Sequence, residues 1–154
     1  KEKIKMIDCF ENEYAFLSNF YEHPIEYNGI TYPTNEHFFQ AMKTLDQKEH
    51  MKIAAAFTPG KSKRLGRSVN LRPDWEEIKE DIMLLALRLK FSDRDMAKKL
   101  LATGDEYLVE GTRWHDRYWG ICSCPVCDGR GKNRLGYLLM KVREELKENE
   151  MVYF

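Results

Sequence analysis

The sequence predicts an α+β fold dominated by helices, with a small early β-hairpin or sheet packed on several helices. Three observations predict it. Strand-like segments are short and fall early in the chain. Apolar residues recur at helical spacing through most of the remaining chain. Strands and helices do not alternate, which argues against a doubly wound parallel sheet. The 154 residues suffice for one domain with its own core, and no repeat or linker divides them, so a single domain over 1–154 is expected.

Residues 4–10, IKMIDCF, suit a short strand. Residues 24–32, PIEYNGITY, read as two strands around Asn28-Gly29, a dipeptide that readily takes the left-handed backbone of a tight hairpin. A first helix is predicted from about Thr34 to Leu45, with Thr34 or Asn35 as N-cap and Phe38, Met42 and Leu45 on its core face. A second, near 47–56, is expected to stop at Thr58-Pro59-Gly60, leaving 60–68, GKSKRLGRS, as a short basic element. The clearest helix is PDWEEIKEDIMLLALRLKF, where Asp74 and Glu77 resemble a capping box and Ile78, Ile82, Leu85 and Leu89 form a stripe. A helix over about 93–102 stops at Thr103-Gly104, and EYLVEGT reads as a strand. The final helix, about 132–148, buries Leu135, Leu138, Leu139, Val142 and Leu146.

Basic and acidic residues are equal in number, so no overall field draws the chain to nucleic acid or an anionic membrane. The N-terminal KEKIKMIDCF holds no apolar core of signal-peptide length, and no apolar run approaches a membrane span. A cytoplasmic protein with no membrane partner is expected, and a monomer.

The chemistry concentrates in YPTNEHFFQAMK, residues 32–43. On a continuous helix Glu36, Gln40 and Lys43 share one face, roughly opposite Phe38, Met42 and Leu45. Two readings stay open. The face is solvated, with Glu36 complementing the helix dipole. Or a carboxylate and an amine line one pocket, where desolvation raises the Glu pKa and lowers the Lys pKa while their attraction opposes both shifts. In the second case the glutamate exchanges protons and a neutral lysine can attack a carbonyl-like carbon.

In HDRYWG, Asp116 can orient hydroxyls or act as a partner carboxylate, and Trp119 can stack on a base; a structured turn with a core tryptophan is the alternative. Trp75 is a core anchor or a stacking face. GRGKNRLG feeds glycines into a helix N-terminus, suited either to an anion or to capping the final helix, but lacks dinucleotide spacing. GKSKRLGR offers Lys61, Lys63, Arg64 and Arg67, a solvated run or a phosphate site.

FLSNFYEHPIEYNGITYPTNEHFFQAMKT, PGKSKRLGRSVNLRPDWEEIKEDIM, LLATGDEYLVEGTRWHDRYWG and GKNRLGYLLMKVREEL resemble, in order, the motifs of the YbiA-like NADAR family. The resemblance runs from about residue 16 to 146. It implies a YbiA-like fold and an N-glycosidase that cleaves the bond between ribose C1 and nitrogen. The implied substrates are phosphoribosyl intermediates of the riboflavin pathway, or ADP-ribosylated guanine in DNA or RNA. Within it, Glu36 is the acid/base, with Lys43 a contact or a Schiff-base nucleophile and Asp116 a second carboxylate. It favours Asn133, Lys63 and Arg67 as substrate contacts, and Asn19 and Phe20 belong to its FLSNFY loop, although Phe20 can equally be core; Gln40, Trp75 and Trp119 are further candidate contacts. A non-catalytic module binding ADP-ribose or nucleotides is the alternative. A nucleic-acid-binding domain built on 61–67 is disfavoured by zero net charge and the lack of interleaved aromatics.

Three of the four cysteines crowd into CSCPVC, a poor layout for a disulfide framework. Cys122, Cys124 and Cys127 can hold zinc only with a fourth ligand, for which Cys9, His115 and Asp128 are candidates. A second C-x₂-C pair is missing, so free thiols are favoured and no cofactor is expected, structural zinc being the alternative. This insertion departs from shorter-looped family members and leaves the loop geometry beside Trp119 open.

Overall fold

The computed structural model describes residues 5–152, with side chains to residue 150. In chain order its elements are β1 (Met6–Ile7), a 3₁₀ turn (Asn12–Leu17), β2 (Ile25–Tyr27), β3 (Ile30–Tyr32), α1 (Asn35–Ala41), α2 (Gln47–Ala54), α3 (Pro59–Gly66), α4 (Trp75–Lys90), α5 (Arg94–Ala102), β4 (Tyr107–Leu108), β5 (Gly111–Thr112), β6 (Ile121–Cys122) and α6 (Arg134–Val152). Helices dominate a mixed α and β architecture, as expected. Ile4, the start of the first expected strand, lies outside the described residues. The chain packs as two compact units, a continuous one over Asn19–Lys90 and a discontinuous one combining Lys1–Ser18 with Phe91–Phe154. Among the described residues no helix is long and apolar enough to cross a membrane.

In the continuous unit β2 and β3 form the antiparallel hairpin read from Asn28-Gly29, with Tyr27 opposite Ile30. Asn28 and Gly29 both take positive φ, 50° and 78°, as a tight hairpin turn of this hand requires. The core sets Ile25, Tyr32, Phe38, Ala41, Ile53 and Ala86 together. Phe38 meets Tyr27 and Tyr32 edge-to-face at centroid distances of 5.6 and 5.1 Å, an arrangement that suits aromatic quadrupoles.

Several expected boundaries shift, each for a local reason. Helix α1 ends at Ala41, with Met42 as C-cap, so Lys43 sits in the following turn rather than on a third helical turn. Leu45, expected in the core, is 69% exposed. Thr58-Pro59-Gly60 does not only end α2. Thr58 Oγ1 accepts from the Lys61 N–H and Pro59 occupies the first helical turn, where its missing N–H costs nothing, so the basic run is a helix of its own, α3. The Asp74 carboxylate is taken by Arg72 at 2.7 Å instead of capping α4. The fully buried line of that helix is Met83, Ala86 and Leu87, with Ile82, Leu85 and Leu89 partly buried beside it.

The discontinuous unit holds two parallel two-strand pairs, β1 with β4 and β5 with β6. EYLVEGT is therefore two strands in two sheets, and strands are not confined to the early chain. Helix α6 buries Leu135, Leu138, Leu139 and Val142, as its apolar spacing predicts, and Leu146 partly. Its Arg143 donates to Thr103 Oγ1 at 2.8 Å, a charged side chain 6% exposed.

Candidate active site

In the continuous unit every residue of α1 is buried. Thr34 caps the helix twice over. Its Oγ1 accepts from the His37 N–H and meets His37 Nδ1 at 2.8 Å, while His37 Nε2 meets the Ala56 carbonyl at 2.9 Å. With Nε2 donating to that carbonyl, Nδ1 accepts from the Thr34 hydroxyl, which fixes the neutral tautomer. Burial lowers the His37 pKa, so the ring is a structural strut.

The face carrying Glu36 and Gln40 is not solvated: they are 7% and 3% exposed. Gln40 Nε2 donates to Glu36 Oε1 at 2.7 Å. The Glu36 backbone N–H donates to the Asn19 carbonyl at 3.1 Å, which ties the FLSNFY loop to the start of α1. Helix α3 lies close against α1 at Gly66, where an added Cβ would overlap the Gln40 carboxamide. Lys43 is held by its backbone, since its carbonyl accepts from the Arg72 N–H at 2.8 Å. Its Nζ stands 5.7 Å from the centre of the Phe39 ring. Burial pulls the Lys43 ammonium below the ordinary lysine range; the Glu36 charge opposes that shift, and the Lys63 and Arg67 charges add to it. Two turns of one expected helix are thus replaced by a helix and a pinned turn, yet the carboxylate and the amine still share one electrostatic neighbourhood with Lys63 and Arg67.

Lys63 is half-buried with Nζ 6.0 Å from the Phe20 ring centre, and Arg67 is exposed at the end of α3. Phe20 is 43% exposed, so it is not core. Trp75 is 5% exposed and packs on Phe39 at 5.0 Å, the core-anchor arrangement of the two readings. Sequence reasoning missed Asn35 and Ser62. Asn35 is 1% exposed with neither carboxamide atom hydrogen-bonded, and Ser62 Oγ, Asn19 Oδ1 and Gln40 Oε1 are likewise buried without a partner. Unpaired buried polar atoms cost about 1–3 kcal/mol each, and Asn19, Asn35 and Gln40 adjoin Glu36 through the chain or a hydrogen bond, so polar capacity open to a ligand lies beside this carboxylate. Asn35 lies beside Glu36 in PTNEH, but as a cap candidate it gave no other signal.

The remaining candidates lie in the discontinuous unit. Asp116 Oδ1 accepts from the backbone N–H of Tyr118 and Trp119, at 3.1 and 2.9 Å, so this carboxylate orders its own loop. Trp119 is half-buried and meets Tyr118 edge-on at 4.9 Å. Asn133, expected as a ligand contact, is 2% exposed; its Nδ2 donates to the Leu108 carbonyl and its Oδ1 accepts from the Glu110 N–H. It clasps β4 to the start of α6.

The cysteine insertion gathers His115, Cys122, Cys124 and Cys127, whose ligand atoms lie within 4.8 Å of one another. Of the three candidates for a fourth ligand, His115 is the one that stands among the thiols. Burial raises the Cys122 thiol, yet the Cys124 and His115 N–H groups together with hydrogen bonds from the Cys124 and Cys127 side chains bring it to about 6; burial and the neighbouring thiols push Cys127 up to about 11.

This chain is similar to known proteins in both sequence and fold. The NADAR domain model matches residues 7–147. N-glycosidase YbiA of Escherichia coli strain K12 is 46% identical over 138 residues, covering 88% of this chain and 83% of that protein. Riboflavin biosynthesis protein VVA0006 of Vibrio vulnificus is 37% identical over 142 residues, which span 90% of this chain but 37% of that longer one. The NMR structure of E. coli YbiA superposes with a TM-score of 0.82 at 40% identity, covering 98% of this chain and 90% of that one. A match of this extent, in sequence and in fold, means that the chain belongs to the NADAR family.

Proposed function

We propose that this N-glycosyl hydrolase cleaves the bond between ribose C1 and nitrogen in a phosphoribosyl intermediate of the riboflavin pathway, with Glu36 and Lys43 as its working pair. One observation carries the reading: a buried carboxylate held by Gln40 shares its electrostatic field with a lysine whose ammonium is destabilised. The name of the Vibrio vulnificus relative supports the substrate class.

Breaking an N-glycosidic bond builds positive charge on the ribose and negative charge on the departing nitrogen. Glu36 offsets the first and moves the proton that the second requires. The ring opens first: the lone pair of the glycosidic nitrogen forms C1=N as C1–O4 breaks, and O4 takes a proton from Glu36. Neutral Lys43 then adds through Nζ to C1, Glu36 takes the Nζ proton and passes it to the leaving nitrogen, and the C1–N bond breaks to leave the Lys43 Schiff base. Water then hydrolyses the Schiff base, freeing the sugar and the lysine. Lys63 and Arg67 supply cations for the phosphate. Asn19, Asn35 and Ser62 supply polar atoms for ribose hydroxyls, and exposed Phe20 supplies an apolar wall. The exposed Lys61, Arg64 and Arg67 of α3 favour a second reading, in which the ribose belongs to ADP-ribosylated guanine carried on DNA or RNA.

Incubation with a phosphoribosyl riboflavin-pathway intermediate and, separately, with ADP-ribosylated guanine DNA, read by mass spectrometry, tests both. The first is expected to release free base and ribose phosphate, and Glu36→Gln to abolish that release. Binding without release by the native protein would make it a non-catalytic ribose-phosphate module and end the proposal.

A further inference from the structure

The cysteine insertion has no part in the proposed hydrolysis, yet with His115 it brings four metal-binding side chains together. We propose that His115, Cys122, Cys124 and Cys127 bind one zinc ion as a Cys₃His structural site that fixes the loop carrying Asp116 and Trp119.

The distances suit the ion. Zinc–sulfur and zinc–nitrogen bonds of about 2.3 and 2.0–2.1 Å place tetrahedral ligands roughly 3.6–3.8 Å apart. His115 Nδ1 lies 3.3 Å from Cys127 Sγ and 3.4 Å from Cys124 Sγ. Opening these contacts by a few tenths of an ångström admits the metal. The backbone is shaped around the sulfurs. The His115 N–H points at Cys122 Sγ and the Cys127 N–H at Cys124 Sγ, both at 3.3 Å, the donors that a zinc-bound thiolate accepts. His115 holds φ of 68° and Asp128 φ of 50°, left-handed conformations that a non-glycine residue adopts at a cost. The chain turns back on itself there, with the Gly129 N–H donating to the Cys122 carbonyl and the Cys122 N–H to the Arg130 carbonyl.

Charge is answered as well. Three thiolates and a neutral imidazole around Zn²⁺ leave one net negative charge. Arg130 sits against the cluster, donating from Nε to the Cys127 carbonyl and from Nη2 to that of Val126, each at 2.8 Å. All four cysteines are free thiols. Zinc enters as the dication, forming three Zn–S bonds and one Zn–N bond while the thiol protons pass to solvent. Because His115 and Cys122 bracket residues 116–121, the metal holds both ends of the Asp116–Trp119 loop.

Elemental analysis of the intact protein purified from zinc-supplemented medium tests this. One zinc per chain is expected, retained in Cys9→Ser and lost in Cys124→Ser and in His115→Ala, the latter an exposed position whose truncation leaves the core intact. Cobalt added to chelator-stripped native protein is expected to give thiolate-to-metal charge transfer and tetrahedral d–d bands, which reads the site without any variant. Hydrogen exchange over 113–131 is expected to quicken on stripping. Native protein with four titratable thiols, no bound zinc and no cobalt spectrum would overturn the proposal, as would iron in the site or zinc retained after loss of His115.

Discussion

Gln40 donates from Nε2 to Glu36 Oε1 across 2.7 Å, one turn away inside a helix with no exposed residue. That bond fixes the plane of the carboxylate and leaves the Gln40 side chain little room, because Gly66 of α3 is packed on it.

Gly66→Ala should therefore separate stability from activity. Alanine favours the helix by about 1 kcal/mol over glycine. Its methyl group, however, collides with the Gln40 carboxamide, which must swing off Glu36. The melting temperature should move little as the two effects offset, while kcat/KM falls roughly tenfold or more, the size expected when a reacting group loses its orientation. Adding Gln40→Ala should remove the collision, so that the stability changes of the two variants fail to add. Thermal melts and steady-state kinetics on the four proteins check this; full activity in Gly66→Ala would show that the clamp is dispensable.

Lys43 should titrate in a way that reports its neighbours. Burial lowers its pKa from 10.5, Glu36 raises it, and Lys63 and Arg67 lower it further. Removing Lys63 or Arg67 should move its titration to higher pH, and Glu36→Gln should move it to lower pH. Competitive acetylation against pH, read on the Lys43 peptide, measures this without turnover. The fold disfavours the ammonium, so Lys43 carries a penalty at low pH that is relieved as pH rises from its lowered value towards 10.5. Borohydride added during turnover should leave a reduced sugar on this same peptide.

Much of this site was legible in the sequence, and the parts that were not have identifiable causes. Thr34 as cap, Asn28-Gly29 as turn and the α6 stripe arise from local chemistry, which acts within a few residues. The early end of α1 does not, because the Arg72 N–H that claims the Lys43 carbonyl comes from a segment 29 positions later. The placing of Asn133 was hidden for the same reason: the Leu108 and Glu110 backbone are tertiary partners. His115 completing the thiol cluster depends on a left-handed turn that no spacing rule encodes.

His37 should give the protein an acid limit. Its pKa is lowered by burial from 6.5, and that of His50 is lowered likewise. Below about 6.5 the unfolded chain takes up protons that the folded one refuses, so stability falls as pH drops from there to the lowered folded values, then levels. His37→Gln should be less stable at neutral pH, having lost the Thr34–His37–Ala56 chain of bonds, but should show a shallower acid slope. Urea unfolding of both proteins across this range decides; parallel slopes would mean that His37 is not what titrates.

Asn133 offers a test of a structural role against a ligand role. It holds φ of 50° while its carboxamide satisfies the Leu108 carbonyl and the Glu110 N–H. Alanine there leaves both backbone groups without that partner, about 1–3 kcal/mol, and adds left-handed strain of about 1–2 kcal/mol. Glycine loses the same bonds but adopts positive φ freely, so Asn133→Gly should be the more stable of the two by about 1 kcal/mol despite being the smaller residue. A ligand role predicts the reverse emphasis: both variants would raise KM alike and melt close to the parent. Denaturant midpoints separated in the order parent, glycine, alanine, with KM unchanged in whatever fraction remains folded, would assign Asn133 to the fold, through its bonds to the end of β4 at Leu108 and to Glu110 in the β4–β5 connection.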